Sequence, residues 1–196
     1  MNLIDRVKKM VTTPKTEWEV VAVEAPDASK VIMGYVVPLC GVAAVAAFLG
    51  IGFLTDFVSI RWCFMAAIML FLLLVLIVLL TAFVSDLVAP SLGAEKNLGR
   101  SVQLLGYGCT PLYLSAILSI FPSVADIFLI LGGLYSAYLI FLGVMPIKKI
   151  TQDKQAGYAI VTIGIAIGVF FLLRLILKRI FFSMVFDGYG PYNINF

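Results

Sequence analysis

The 196-residue chain is 62% hydrophobic and 13% charged, with a mean hydropathy of +1.09. A soluble domain carries about a quarter charged residues, so an ordinary globular protein is excluded: there is too little polar area to cover its surface. The net charge of +3 is too small to indicate nucleic acid, and the lack of any histidine removes His-based metal sites and Ser-His or Cys-His nucleophiles.

Residues 1–30 are the polar part of the chain. Leu3, Ile4, Val7, Met10 and Val11 recur at helical spacing, with Arg6, Lys8 and Lys9 off that stripe. This pattern predicts an amphipathic helix lying on the membrane surface. Thr13-Pro14 then reads as the start of a second short helix, Thr as cap and Pro in the first turn. Trp18 suits an interfacial depth. Arg6, Lys8, Lys9, Lys15 and Trp18 are therefore the expected lipid-headgroup contacts. The opening MNLIDRVKKM has no apolar core of the kind a signal peptide needs.

Five apolar segments follow, at roughly 31–54, 62–85, 101–121, 124–144 and 158–182. Each has about 20–25 residues, enough to cross about 30 Å of hydrocarbon at about 1.5 Å per residue. The expected fold is all-α: a polytopic bundle of five transmembrane helices over 31–182, with an N-terminal helical region at 1–30 and a short tail at 183–196. Pro122-Ser123 separates spans three and four, which predicts a tight helical hairpin. Cys40, Cys63 and Cys109 lie far apart in or beside apolar runs and read as small buried hydrophobes.

Basic residues set the expected orientation. Arg6, Lys8, Lys9, Lys15, Lys30, Lys96, Arg100, Lys148, Lys149 and Lys154 fall on the side of the N-terminus, against Arg61, Lys178 and Arg179 on the other. The N-terminus is expected in the cytoplasm and the C-terminus outside, in the inner membrane if the source is bacterial. Lys178 and Arg179 run against this count.

Small residues at four-residue spacing let membrane helices approach closely. Gly133 and Ala137 form one such step and Gly164 and Gly168 another; internal packing is the simpler expectation for both, self-association the other. Arg174 and Asp126 match in depth and are expected to form an intramembrane ion pair; the other reading has Arg174 snorkelling alone. Asp86 ends span two, where a lone carboxylate is usually solvated. Span three is the most polar: Gln103, Tyr107 and Thr110 share a face, and Pro111 cannot donate to the carbonyl of Tyr107, which predicts a kink. That kink is either a groove or a packing adjustment. No metal-ligand cluster, phosphate loop or paired carboxylates occur, so no cofactor and no enzymatic activity are expected.

The run LLGYGCTPLYLSAILSIFPSVADIFLILGGLYSAYLIFLGV resembles the core of the Yip family, the Ypt/Rab-interacting integral membrane proteins. The resemblance rests on Gly106, Tyr107 and Pro111, the break at Pro122, the Leu134-Tyr135 and Tyr138-Leu139 pattern, and Gly143. Arg6-Val7-Lys8-Lys9 followed by Pro14 and Trp18, with Ala156 after the Lys-rich loop, is similar to prokaryotic members. The resemblance implies a five-span domain with a cytoplasmic N-terminus and a membrane-organising or partner-scaffolding role, as in the vesicle trafficking of eukaryotic relatives. Those relatives bind small GTPases and carry Asp-Leu-x-Gly-Pro before the first span. Here the similar letters Asp86-Leu87-Val88-Ala89-Pro90 follow span two, with Ala in place of Gly, so GTPase binding is not expected. The expected partners are the bilayer and other membrane proteins or a second copy, with no nucleic acid. A small transporter or channel subunit is the alternative; it would need a polar pathway near Pro38 and Pro111.

Overall fold

The computed structural model describes residues 2–54, 59–121 and 123–186, with side chains as far as residue 181. The break expected at Pro122 and most of the tail expected at 183–196 lie outside the described residues. Among the described residues every regular element is helical, as a lipid solvent requires when backbone groups must be satisfied within each segment.

Two short helices open the chain, α1 (Leu3–Thr12) and α2 (Pro14–Val23). Asn2 caps α1 by accepting from the amide of Ile4. Pro14 sits in the first turn of α2 as expected. Thr13, however, makes no side-chain cap there; its hydroxyl donates back to the carbonyl of Lys9. The chain continues through α3 (Ala28–Val31), capped by Asp27, and a π-helical turn at Ile32–Val36 into α4 (Val37–Leu54). Then come α5 (Ile60–Val88), α6 (Leu98–Gly108), α7 (Thr110–Ile117), α8 (Ala125–Lys148) and α9 (Gln152–Phe186).

Four stretches are long and apolar enough to cross a bilayer: Ala28–Leu54, Ile60–Leu92, Ala125–Lys148 and Gln152–Phe181. They match expected spans one, two, four and five. The expected third span is not one continuous helix. It is broken at Cys109 into α6 and α7, and α7 tightens into a 3-10 turn at Leu118–Ile120. The cause is Pro111, which sits in the first turn of α7 and withholds the amide that a continuous helix needs.

The joint between α6 and α7 positions the rest of the bundle. Thr110 donates its hydroxyl to the Tyr107 carbonyl, the acceptor that Pro111 leaves without a donor. With that proton committed, the 2.7 Å contact between Tyr35 and Thr110 has the Tyr35 hydroxyl as donor. On the other side, the amide of Leu112 donates to the Ser136 hydroxyl of α8 at 3.1 Å. A proline break buried in the protein is thus closed by three side chains from three elements.

Close approach falls on particular glycines. A Cβ at Gly132 of α8 would lie 2.8 Å from the Pro111 carbonyl oxygen and 2.1 Å from the Ser115 hydroxyl. A Cβ at Gly50 of α4 would lie 2.5 Å from the Ile120 carbonyl oxygen. The steps expected to pack internally are different residues. A Cβ at Gly133, Gly164 or Gly168 would meet nothing within 4 Å, so internal packing does not explain them. The lipid-facing stripe of α8 runs along Ile127, Ile130, Leu134 and Phe141 instead.

Neighbouring glycines therefore have opposite expected behaviour. Gly132→Ala forces apart α7 and α8 and should cost about 1–3 kcal/mol by overpacking. Gly133→Ala should be neutral or slightly stabilising, because Ala is the better helix former by roughly 1 kcal/mol. Thermal unfolding of the two variants in the same detergent measures the difference, and equal midpoints would contradict the packing described.

Candidate functional site

Two buried polar clusters stand out in an otherwise apolar molecule. The first is built by the N-terminal helices. Arg6 and Met10, one turn apart on α1, face inward. The Arg6 guanidinium donates to Glu17 at 2.7 Å and also pairs with Glu24. Its plane lies 5.1 Å from the centre of the Tyr107 ring. Tyr107 in turn meets Tyr35 edge to face at 4.8 Å. Arg6 thus ties both N-terminal helices to the α6–α7 joint and neutralises Glu17, whose carboxylate would otherwise be stranded in a low-dielectric site, while Glu24 remains partly exposed.

The N-terminal helices are held from other sides as well. Tyr135 of α8 donates to the carbonyl of Val11 at 2.8 Å. Arg100 and Gln103 of α6 donate to the carbonyls of Val21 and Ala25, at and beyond the last turn of α2 where helix carbonyls lack intrahelical partners. Trp18 is 1% exposed and its ring packs on Gly143, where a Cβ would lie 2.6 Å away.

This revises the expected headgroup contacts. Lys8, Lys9 and Lys15 are exposed. Arg6 and Trp18 are buried in protein. The reason is that α1 has two environments: Ile4 faces out, while Arg6 finds its counter-ions inside. Among the family-motif positions, Gly106 lets α6 approach Val31 at the start of the first long helix, Tyr107 and Pro111 form the joint, Tyr135 holds α1, and Gly143 seats Trp18. Tyr138 stacks on Tyr135 at 5.8 Å and is half exposed.

The second cluster joins three helix ends. Asp86 near the end of α5 accepts from Lys148 at the end of α8 (3.0 Å), from Ser101 of α6 (2.9 Å) and from the backbone amide of Asn97 (2.8 Å). Lys148 also donates to Ser101 and to the carbonyl of Glu95, so all three of its protons are used. Tyr158 of α9 stands 5.9 Å from Lys148 and donates to the carbonyl of Ser85. Asp86 is thus a buried acceptor with three donors on one oxygen and not a solvated helix end, and Lys148, counted by sequence among the cations that set orientation, is withdrawn into the fold.

Asp126 and Arg174 do not meet. The ion pairs among the described residues are Arg6–Glu17, Arg6–Glu24 and Lys148–Asp86. Arg174 lies over the ring of Phe170 at 6.0 Å, and both Arg174 and Asp126 are exposed. No group of three or more metal-ligating side chains comes together among the described residues.

Sequence reasoning missed Glu17, Glu24, Ser101 and Lys148 as parts of these clusters, and Ser136 at the α6–α7 joint. The signal for Lys148 was present: opposite charges, Asp86 and Lys148, close two apolar spans on the same side. Nothing in the periodicity of 1–30 distinguishes Arg6 from its neighbouring lysines.

Lys148→Met leaves Asp86 buried without its cation and should cost about 3–5 kcal/mol, whereas Lys148→Met with Asp86→Leu should recover most of that loss. Thermal melts of the single and double variants in detergent measure both. Gly143→Ala displaces the Trp18 ring; with Trp62→Phe as background, tryptophan emission should shift to the red, and an unchanged spectrum would contradict the seating described.

No curated protein and no solved structure matches the chain significantly. A family model, that of the Yip1 domain, matches residues 8–174. The match takes in the α6–α7 joint, the Lys148 cluster and most of the four long apolar stretches, and the chain is an integral membrane protein belonging to the Yip1 domain family.

Proposed function

We propose that this protein is a non-enzymatic membrane scaffold whose N-terminal helices lie against anionic headgroups while locked to the bundle. The observation that carries this reading is the Arg6 cluster. It fixes α1 and α2 on α6 and α8 while Lys8, Lys9 and Lys15 remain exposed. A cationic surface held rigidly at that place attracts anionic lipid at about 1 kcal/mol per basic residue. In this reading α6 and α7 together make a broken fifth crossing, the N-terminus is cytoplasmic, the C-terminus is outside, and a bacterial host places the protein in its inner membrane. Small GTPases are not among the partners.

The transporter alternative is less well supported. Of the groups that would line a polar pathway, Gln103 and Asp86 are engaged by protein partners, Ala25 and Arg100 for the one and Lys148 for the other, and the Tyr107 ring lies against Arg6. Groups committed to the fold are poorly placed to hydrate a moving solute.

The test uses the full chain. Replacing Lys8, Lys9 and Lys15 with Gln should reduce the phosphatidylglycerol that co-purifies in mild detergent by several-fold, with the melting temperature unchanged. Unchanged lipid content would remove the headgroup-docking role. Solute flux in proteoliposomes that is abolished by Gln103→Leu would favour the transporter.

A further inference from the structure

We infer that copies of this chain associate through α8 of one copy and α9 of the next, with Asp126 paired to Arg174 across the contact. Asp126 precedes Lys148, the end of α8, by as many positions as Arg174 follows Gln152, the start of α9. The two helices run in opposite directions from one connection, so both charges stand about 33 Å along their helices from it. Equal depth in one chain means equal depth in every copy in the same membrane.

Within the chain the two charges stay apart and exposed. An exposed arginine inside the far end of a long apolar helix is costly without a counter-charge. Lys178 adds to the demand, since like charges at four-residue spacing repel, and neither it nor Arg179 forms an ion pair with a carboxylate among the described residues. Among the described residues Asp126 is the exposed acid at matching depth.

The surfaces between the charges also match. Gly133 precedes Lys148 by nearly the same interval as Gly168 follows Gln152, and Ala137 and Gly164 correspond in the same way. At about 100° per residue, Asp126, Gly133 and Ala137 lie on one stripe of α8, while Gly164 and Gly168 lie on one side of α9 with Lys178, flanked by Arg174. Each glycine of these stripes is open, with nothing within 4 Å of its would-be Cβ. The most apolar window of α9 is only 11% buried, against 28–39% for the other long helices. Small residues at a shared depth admit a second helix closely, and the charges at the end select α8 over another α9, which would bring like charges together. Because α8 and α9 are neighbours in one chain, the contact can be made twice about a two-fold axis along the membrane normal, α8 to α9 and α9 to α8, or once per copy in a ring or row.

The experiment reads contact between differently tagged full-length copies in one membrane. Co-expressed Asp126→Cys and Arg174→Cys chains should form an intermolecular disulfide under mild oxidant, and neither should do so with the unaltered chain. Asp126→Arg and Arg174→Asp should each lower capture of one tag by the other at least tenfold, and co-expressing the two single variants should restore it. Gly168→Leu should lower capture while leaving the melting temperature of the monomer in detergent unchanged. Reversals without effect on capture would overturn the inference. So would failure of the co-expressed variants to rescue, since the two charges would then not be partners across the contact. Loss of bound phosphatidylglycerol on Arg174→Asp with capture intact would assign the arginine to lipid and equally overturn it.

Discussion

The structure depends on how a hydrocarbon-embedded chain tolerates a missing hydrogen bond. Pro111 removes one amide from the third apolar segment, and an orphaned carbonyl buried away from water costs several kcal/mol. Thr110 caps that carbonyl, Tyr35 donates to Thr110, and Ser136 takes up the next free amide. Each partner comes from a different helix, so satisfying one break fixes the mutual placement of the first long helix, α6, α7 and α8. The Tyr107 ring at this joint is also the surface on which Arg6 rests, which is why the polar N-terminal segment has a defined seat on an apolar bundle.

The two buried ion clusters act as fasteners more than as sources of net stability. Desolvating such groups offsets much of their Coulomb attraction. What they add is exclusivity: Lys148 has three protons and three acceptors supplied by α5, α6 and the segment before α6, and any other docking of α8 would leave some of them bare. Arg6 does the same for α1 and α2. With the polar fastening gathered into these clusters, the lipid-facing surfaces are left free of structural duty.

Much of this was legible in the sequence, and the remainder was hidden for definable reasons. Four apolar runs announced four long helices, because length and hydropathy alone determine what can cross a bilayer. Pro111 announced the break, and Thr110 beside it was the group that heals it. The inward turn of Arg6 was not legible, since its carboxylates lie 11 and 18 residues away, beyond the end of its own helix, and periodicity carries no information about which side of an interfacial helix meets protein. For the same reason Trp18 read as an interfacial anchor when its ring is seated on Gly143. The glycine steps misled in the opposite sense: Gly132 makes the close approach, while its neighbour Gly133, which the four-residue pattern singled out, is open.

The bond from Tyr135 to Val11 spans 124 positions of the chain. During synthesis the first two helices leave the ribosome long before α8 exists, and at about 5–20 residues per second the delay is on the order of ten seconds. Over that interval Arg6 already has Glu17 and Glu24 within reach on the same short segment, so the nascent N-terminus can pair its charge locally. The bond from Tyr135 then closes on this segment only when α8 arrives, with α9 still to follow.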